Sequence, residues 1–165
     1  MTLRIRQIIE PEQAWIDTMT EWMYAWWGEP EGHTKESVRM YLMYGMQDKR
    51  LPQTYGMFLE DKLIGMYQLR LDDLFVRPDI YPWLANVYID EPYRGQGYGQ
   101  KLMESVLEHA RQNIPFDEIY LYTKHIGFYE KFGWKFISEI DTYLEDCRIQ
   151  RLYRLEMKSD LQNLF

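Results

Sequence analysis

The residues best suited to chemistry form the stretch Arg94-Gly95-Gln96-Gly97-Tyr98-Gly99, which comes after an apolar run and opens an amphipathic one. Glycine lets a backbone come close to an anion and adopts positive φ without strain. A helix start adds unpaired N–H donors and partial positive charge. Such a turn holds phosphates, so the expectation is a phosphate-bearing cofactor at this point. Two common phosphate signatures are excluded. A dinucleotide fingerprint would place its third glycine where Gln100 stands. A P-loop would end in Gly-Lys-Ser/Thr, which Gly99-Gln100-Lys101-Leu102 does not. On spacing alone, the three glycines also suit a tight strand-to-helix turn with no ligand.

The elements around this turn are set by hydrophobic periodicity. Residues 3–8 alternate as a strand does. Pro11 suits the first turn of a helix, and Trp15, Met19, Trp22 and Trp26 come after it at helical spacing. Thr34 can cap a second helix with Val38, Tyr41, Leu42 and Gly45 on one face. Residues 54–59 and 63–71 read as a hairpin across Glu60-Asp61-Lys62, and residues 72–82 as a loop. Residues 83–89 are apolar on both faces apart from Asn86, which marks a central, doubly covered strand. A helix to about Gln112 buries Leu102, Met103, Val106, Leu107 and Ala110. A strand at 118–123, a short helix at 126–132 stopped by Gly133, and antiparallel strands at 134–141 and 149–157 complete the chain. Interleaved strands and helices imply an α/β (α+β) mixed sheet with helices on its faces.

Bulk properties narrow the function. A chain of 165 residues suits a single domain spanning 1–165. A net charge of −7 argues against nucleic acid and favours a cationic small molecule. The lone cysteine, Cys147, excludes an intramolecular disulfide and a cysteine-based zinc site. His33, His109 and His125 lack metal-ligand spacing, and His109 falls near the exposed face of its helix. No apolar stretch approaches the ~20 residues of a membrane helix, and residues 1–6 lack a signal-like apolar segment. The chain reads as cytoplasmic, without a membrane partner. Aromatic residues reach 16%, which serves core packing or a pocket and leaves room for a homodimer.

The order of strand, acidic-Pro turn, Arg-Gly-x-Gly-x-Gly, helix, strand and then Phe128-Tyr129-Glu130-Lys131-Phe132-Gly133-Trp134 resembles the GNAT superfamily of acyl-CoA-dependent N-acetyltransferases. That family's phosphate motif is Gln/Arg-x-x-Gly-x-Gly/Ala, and Arg94 to Gly99 fits each fixed position. The resemblance is strong over about residues 83–137 and topological before that. It implies a mostly antiparallel central sheet of about seven strands, flanked by about four helices, with two central strands splayed apart. It implies acetyl-CoA as cofactor, with the pyrophosphate on the N–H groups of Gly95, Gln96, Gly97, Tyr98 and Gly99, and with added charge from Arg94. Val87, Tyr88 and Ile89 would hold the pantetheine through backbone atoms.

Acetyl transfer needs a neutral amine, a stabilised thioester oxygen and a proton for the departing thiolate. By the resemblance, the backbone N–H near Tyr88 serves the oxygen and the Tyr129 hydroxyl serves the thiolate. The strand before the glycine turn carries no carboxylate or histidine of the kind many members use as base. Asn86 can orient a water there, or satisfy a backbone group. Asp72 and Asp73 can hold an ammonium and take its proton through water, or be solvated turn acids. The expected activity is acetyl transfer to a primary amine of a small molecule. The alternatives are an acyl-CoA sensor without transfer, or an enzyme for protein amines. Glu29 and Glu31 in the expected acceptor loop point to a cationic amine.

Overall fold

The computed structural model describes residues 1–157. Residues 158–165, part of the single domain expected from the sequence, lie outside the described residues. Seven strands form one sheet in the order β1-β2-β3-β4-β5-β7-β6. They are β1 Leu3–Ile8, β2 Gln53–Leu59, β3 Lys62–Arg70, β4 Trp83–Ile89, β5 Glu118–Thr123, β6 Lys135–Asp141 and β7 Ile149–Glu156. Three α-helices cover it: α1 Gln13–Met23, α2 Lys35–Met43 and α3 Tyr98–Asn113. Every neighbouring pair is antiparallel except β4 with β5.

The sheet separates two cores. On one face, Leu102, Met103, Val106 and Ala110 of α3 meet Tyr55, Met57, Ile64, Leu84, Ile119 and Leu121. On the other, Ile16, Met19, Trp22 and Met23 of α1 join Val38 and Leu42 of α2 over Ile8, Phe58 and Met66. The helix sets sit at helical spacing, so each helix buries one face, while β2 and β3 alternate residues between the two cores and are buried on both faces. Thr34 caps α2, accepting from Ser37 N at 3.1 Å.

Three expectations change. The stretch 126–132 is a single 3₁₀ turn, Tyr129–Phe132, because Gly127 takes φ +87° and halts any earlier helix. That leaves three α-helices where four were expected. The aromatic stripe of α1 breaks at Trp26, which is half exposed. The chain there is a π-turn, Tyr24–Gly28, with Glu29 N donating to Tyr24 O at 2.8 Å. One extra residue per turn rotates the helix face, turning Trp27 inward in place of Trp26. His109 also turns inward: its Nδ1 lies 2.6 Å from the Tyr67 hydroxyl and its ring stacks on Tyr55 at 4.9 Å.

Candidate active site

The sheet opens between β4 and β5. These strands pair only at Trp83 and Tyr120, and Tyr120 N donates to Pro82 O at 2.9 Å. Beyond that point they diverge, leaving the distal edge of β4 without a strand partner among the described residues. The divergence has a local cause in β4. Gln68 faces Ala85 and Met66 faces Tyr88, so Asn86 and Val87 together oppose the single residue Tyr67. This is a β-bulge, which bends a strand and re-aims the residues beyond it. Asn86 sits in it at φ 54°, a left-handed conformation that Asn tolerates better than most residues.

The bulge decides which backbone groups face the opening. Asp90 N donates to Ile64 O on β3 at 2.8 Å. Tyr88, two residues earlier, presents its backbone to that same β3 edge, and its carbonyl oxygen lies 2.9 Å from a Cβ placed on Gly65. The expectation that the Tyr88 N–H faces the thioester is therefore corrected, because that amide belongs to the β3 ladder. Val87 and Ile89 have the opposite parity and face the opening. Arg94 Nε reaches Ile89 O there at 2.8 Å. The Tyr88 side chain lies on the α1 side of the sheet, its ring 5.1 Å from that of Trp22.

The glycine turn closes one end of this edge. Gly95 and Gly97 have φ +75° and +86°, and a Cβ on either would meet nothing within 4 Å. Their amides border open space. Gly97 is the N-cap of α3, which has no side-chain cap and no acidic residue in its first turn. An uncapped 16-residue helix behind two open glycines fits a diphosphate: no side chain caps its first N–H groups and its first turn carries no acid. The side chains in the turn brace it. Gln96 Nε2 donates to Pro92 O at 3.0 Å, Tyr98 packs edge-on to Tyr93, and Arg94 lies 5.0 Å from the Tyr88 ring centre. The Arg94 guanidinium, expected to serve the cofactor, thus also ties the turn to the end of β4.

Tyr129 lies beside this end. Phe128, its neighbour, comes within 3.8 Å of a Cβ placed on Gly99. The Tyr129 ring packs on Phe128, Trp134 and Tyr153 and is buried with Val87 and Ile89 in one core. Its hydroxyl makes no hydrogen bond among the described residues. Burial pushes it up to about 12, so it stays protonated at neutral pH.

The other side of the opening holds the acids. Asp72 is exposed and sits 3.7 Å from Arg70 Nη2. Asp73 is half-buried, and burial pushes its carboxyl up to about 7, with Arg70 pulling it down and Asp72 and Glu31 adding to the rise. The two acids that the sequence left equivalent are thus different groups. Tyr122 stands on the neighbouring strand, edge-on to Trp83 at 5.9 Å. Its phenol is pushed up first by burial and then by the Asp73 charge. Asn86, the remaining candidate, is not free to orient a water. Its Oδ1 accepts from Trp27 Nε1 at 3.1 Å, and its Nδ2 donates to the Tyr41 hydroxyl at 2.9 Å and to Gln68 Oε1 at 2.7 Å. Trp27, Tyr41 and Tyr122 were not singled out as site residues from the sequence. Trp27 is hidden by the π-turn, and the other two look like ordinary stripe and strand aromatics.

The model for the Acetyltransferase (GNAT) family matches residues 16–134. Over that span the chain is an acyl-transferring enzyme. It belongs to the GNAT family of acetyltransferases. The spermine/spermidine N(1)-acetyltransferase of Bacillus subtilis strain 168 is 29% identical over 104 residues, covering 59% of this chain and 68% of that protein. A GNAT family acetyltransferase from Elizabethkingia anophelis, solved with acetyl-CoA bound, superposes with a TM-score of 0.62 at 17% identity, covering 93% of this chain and 97% of that one. A chimera of the Vibrio cholerae spermidine N-acetyltransferase and hSSAT gives a TM-score of 0.73 at 12% identity, over 98% of this chain and 99% of that one. The two structural likenesses establish the fold. No helix of the described residues is long and apolar enough to cross a membrane.

Proposed function

We propose that this chain transfers an acetyl group from acetyl-CoA directly to a primary amine of a small cationic molecule. One observation carries the reading: β4 and β5 pair at a single residue, opening the Val87–Ile89 edge beside both the glycine cradle and the buried Tyr129 phenol. Acetyl-CoA supplies an acetyl group activated as a thioester. The amides of residues 95–99 and the start of α3 hold its diphosphate, and the backbone of Val87 and Ile89 holds its amide-bearing arm.

The protein's groups then divide the work. The Asp73 carboxylate takes the ammonium proton, through water, so that the amine can attack. The Val87 N–H donates to the thioester oxygen as charge gathers there. The Tyr129 hydroxyl gives its proton to the departing sulfur. The C–N bond forms, the C–S bond breaks, and one proton leaves the nitrogen as another reaches the sulfur.

A polycationic acceptor fits best. Glu31 and Asp72 add negative charge around Asp73, and Trp27, Tyr41 and Tyr122 offer ring faces of the kind that bind alkylammonium groups. The relatives named for spermine and spermidine support the same class. The test is release of free thiol from acetyl-CoA with a panel of spermidine, spermine, an aminoglycoside, an amino acid and a peptide. Release is expected with the polyamines. Release with the peptide alone would move the acceptor to proteins. A melting temperature raised by acetyl-CoA, with no release from any amine, would leave a sensor.

A further inference from the structure

The Asn86 carboxamide lies where two parts of the molecule meet. Its backbone is the bulge that turns the Val87 amide toward the opening. Its side chain is held from the other side of the sheet by Trp27, in the π-turn that leads into the loop between α1 and α2, and by Tyr41 of α2. The third partner, Gln68, continues the network. Gln68 Oε1 also accepts from Arg70 Nη1 at 3.3 Å, and its Nε2 donates to Thr54 Oγ1 at 3.0 Å, which in turn donates to Gly45 O at 2.9 Å. Arg70 lies over the Tyr41 ring at 4.3 Å. The loop itself is tied to the same end of α1, since His33 N donates to Gly28 O at 2.8 Å and the His33 ring meets Trp27 edge-on.

Resting on the proposed function, we infer that Asn86 is a positioning residue that couples the α1–α2 loop to the Val87 amide. A left-handed residue in a strand persists only where its surroundings over-determine it. The surroundings here are side chains of the elements next to the acids, not of the strand. Whatever draws the loop inward pulls on Trp27, and Trp27 holds the carboxamide whose backbone sets the direction of Val87. The donor edge would thus reach its polarising geometry when the loop is in place.

Two variants separate this from a merely structural role. Asn86→Gly keeps the φ that the bulge requires and removes the carboxamide. Trp27→Phe keeps a ring and removes the N–H, leaving the strand untouched. The readout is the carbonyl stretch of acetyl-CoA labelled with carbon-13 at the acetyl carbonyl, bound to the full chain. A hydrogen bond from Val87 lowers that frequency. The wild type is expected to show a lowered band. Both variants should bind CoA within about twofold of wild type yet show a band close to its position in water. With spermidine, their kcat should fall about 10-fold to 100-fold while KM for acetyl-CoA stays nearly constant, as for a small misplacement of a catalytic group. A wild-type band retained in both variants overturns the coupling and leaves the proposed function standing. Acetyl-CoA bound to wild type with no band shift removes the Val87 role and the coupling with it.

Discussion

The two halves of the opening are built from different material. The half next to the glycine turn is made of backbone: two left-handed glycines, an uncapped helix start, and the free edge at Val87 and Ile89. The half next to the α1–α2 loop is made of side chains: Asp73 and Tyr122, with Tyr41 and Trp27 held through Asn86, which also bonds Gln68. Backbone geometry tolerates many side chains, so a turn of this kind suits a cofactor shared by a whole family. Side-chain networks change with each substitution, so they suit an acceptor that differs from member to member. Tyr129 belongs to neither half, because its ring is locked in the core while its hydroxyl has no partner there.

This contrast can be broken at several points. The largest effect belongs to Tyr129→Phe, which should lower kcat by about 10²–10⁴ if proton donation limits turnover. Because the hydroxyl makes no hydrogen bond among the described residues, CoA affinity and melting temperature should hardly change. Steady-state kinetics with a thermal melt checks both, and unchanged turnover would remove the phenol from the chemistry.

Asp73→Asn comes next. Below about pH 7 the carboxyl is protonated and cannot accept a proton, so wild-type kcat/KM should rise with pH through about 7. The variant should lose that rise and about 10² in rate at high pH. Asp72→Asn, at the exposed position, should keep the rise. The same raised pKa has a stability side. Its contribution is complete below the ordinary aspartate range and fades as pH climbs through about 7. Melting curves of Asp73→Asn should therefore lose less than wild type between pH 5 and 8.

On the backbone side, Gly97→Val forces a β-branched residue to φ +86° and fills the open space beside the turn. Strain of about 1–3 kcal/mol corresponds to roughly 5- to 150-fold weaker CoA binding. Calorimetry that finds wild-type affinity would make the turn purely structural. The smallest effect is expected for Arg94→Ala. Losing one hydrogen bond to Ile89 O and one ring contact should weaken CoA binding by about fivefold. A far larger loss would mean that the side chain, and not the backbone, does most of the holding.

The same division explains what could be read in the sequence. Strand alternation in β1, the two-sided apolar run of β4 and the stripe of α3 each come from a period. Thr34 and Gly133 punctuate helices as their types require. The glycine cradle was visible because glycine is itself the structural signal. Asn86 gave no such signal, because its left-handed φ is imposed by partners from residues 27, 41 and 68. The π-turn was hidden for a related reason: one extra residue per turn shifts the face without altering composition. The difference between Asp72 and Asp73 is one of burial alone, set by how the loop folds onto the sheet. The edge parity of Tyr88 and Val87 was equally out of reach, since it depends on which residue bulges.

The stack of Tyr55, Tyr67 and His109 gives the molecule a weakness toward acid. Burial holds the imidazole below its ordinary value, so it stays neutral on α3 while the same ring in an unfolded chain would already carry a proton. Above the usual histidine range neither form is charged and the ring has no bearing on stability. As pH falls through that range the unfolded chain gains the proton first and the native state loses ground, until the buried ring is itself protonated and the loss levels off. The same helix, α3, supplies the first turn assigned to the diphosphate in the proposed function, so CoA binding is expected to weaken on mild acidification, a trend that titration of CoA affinity against pH would check.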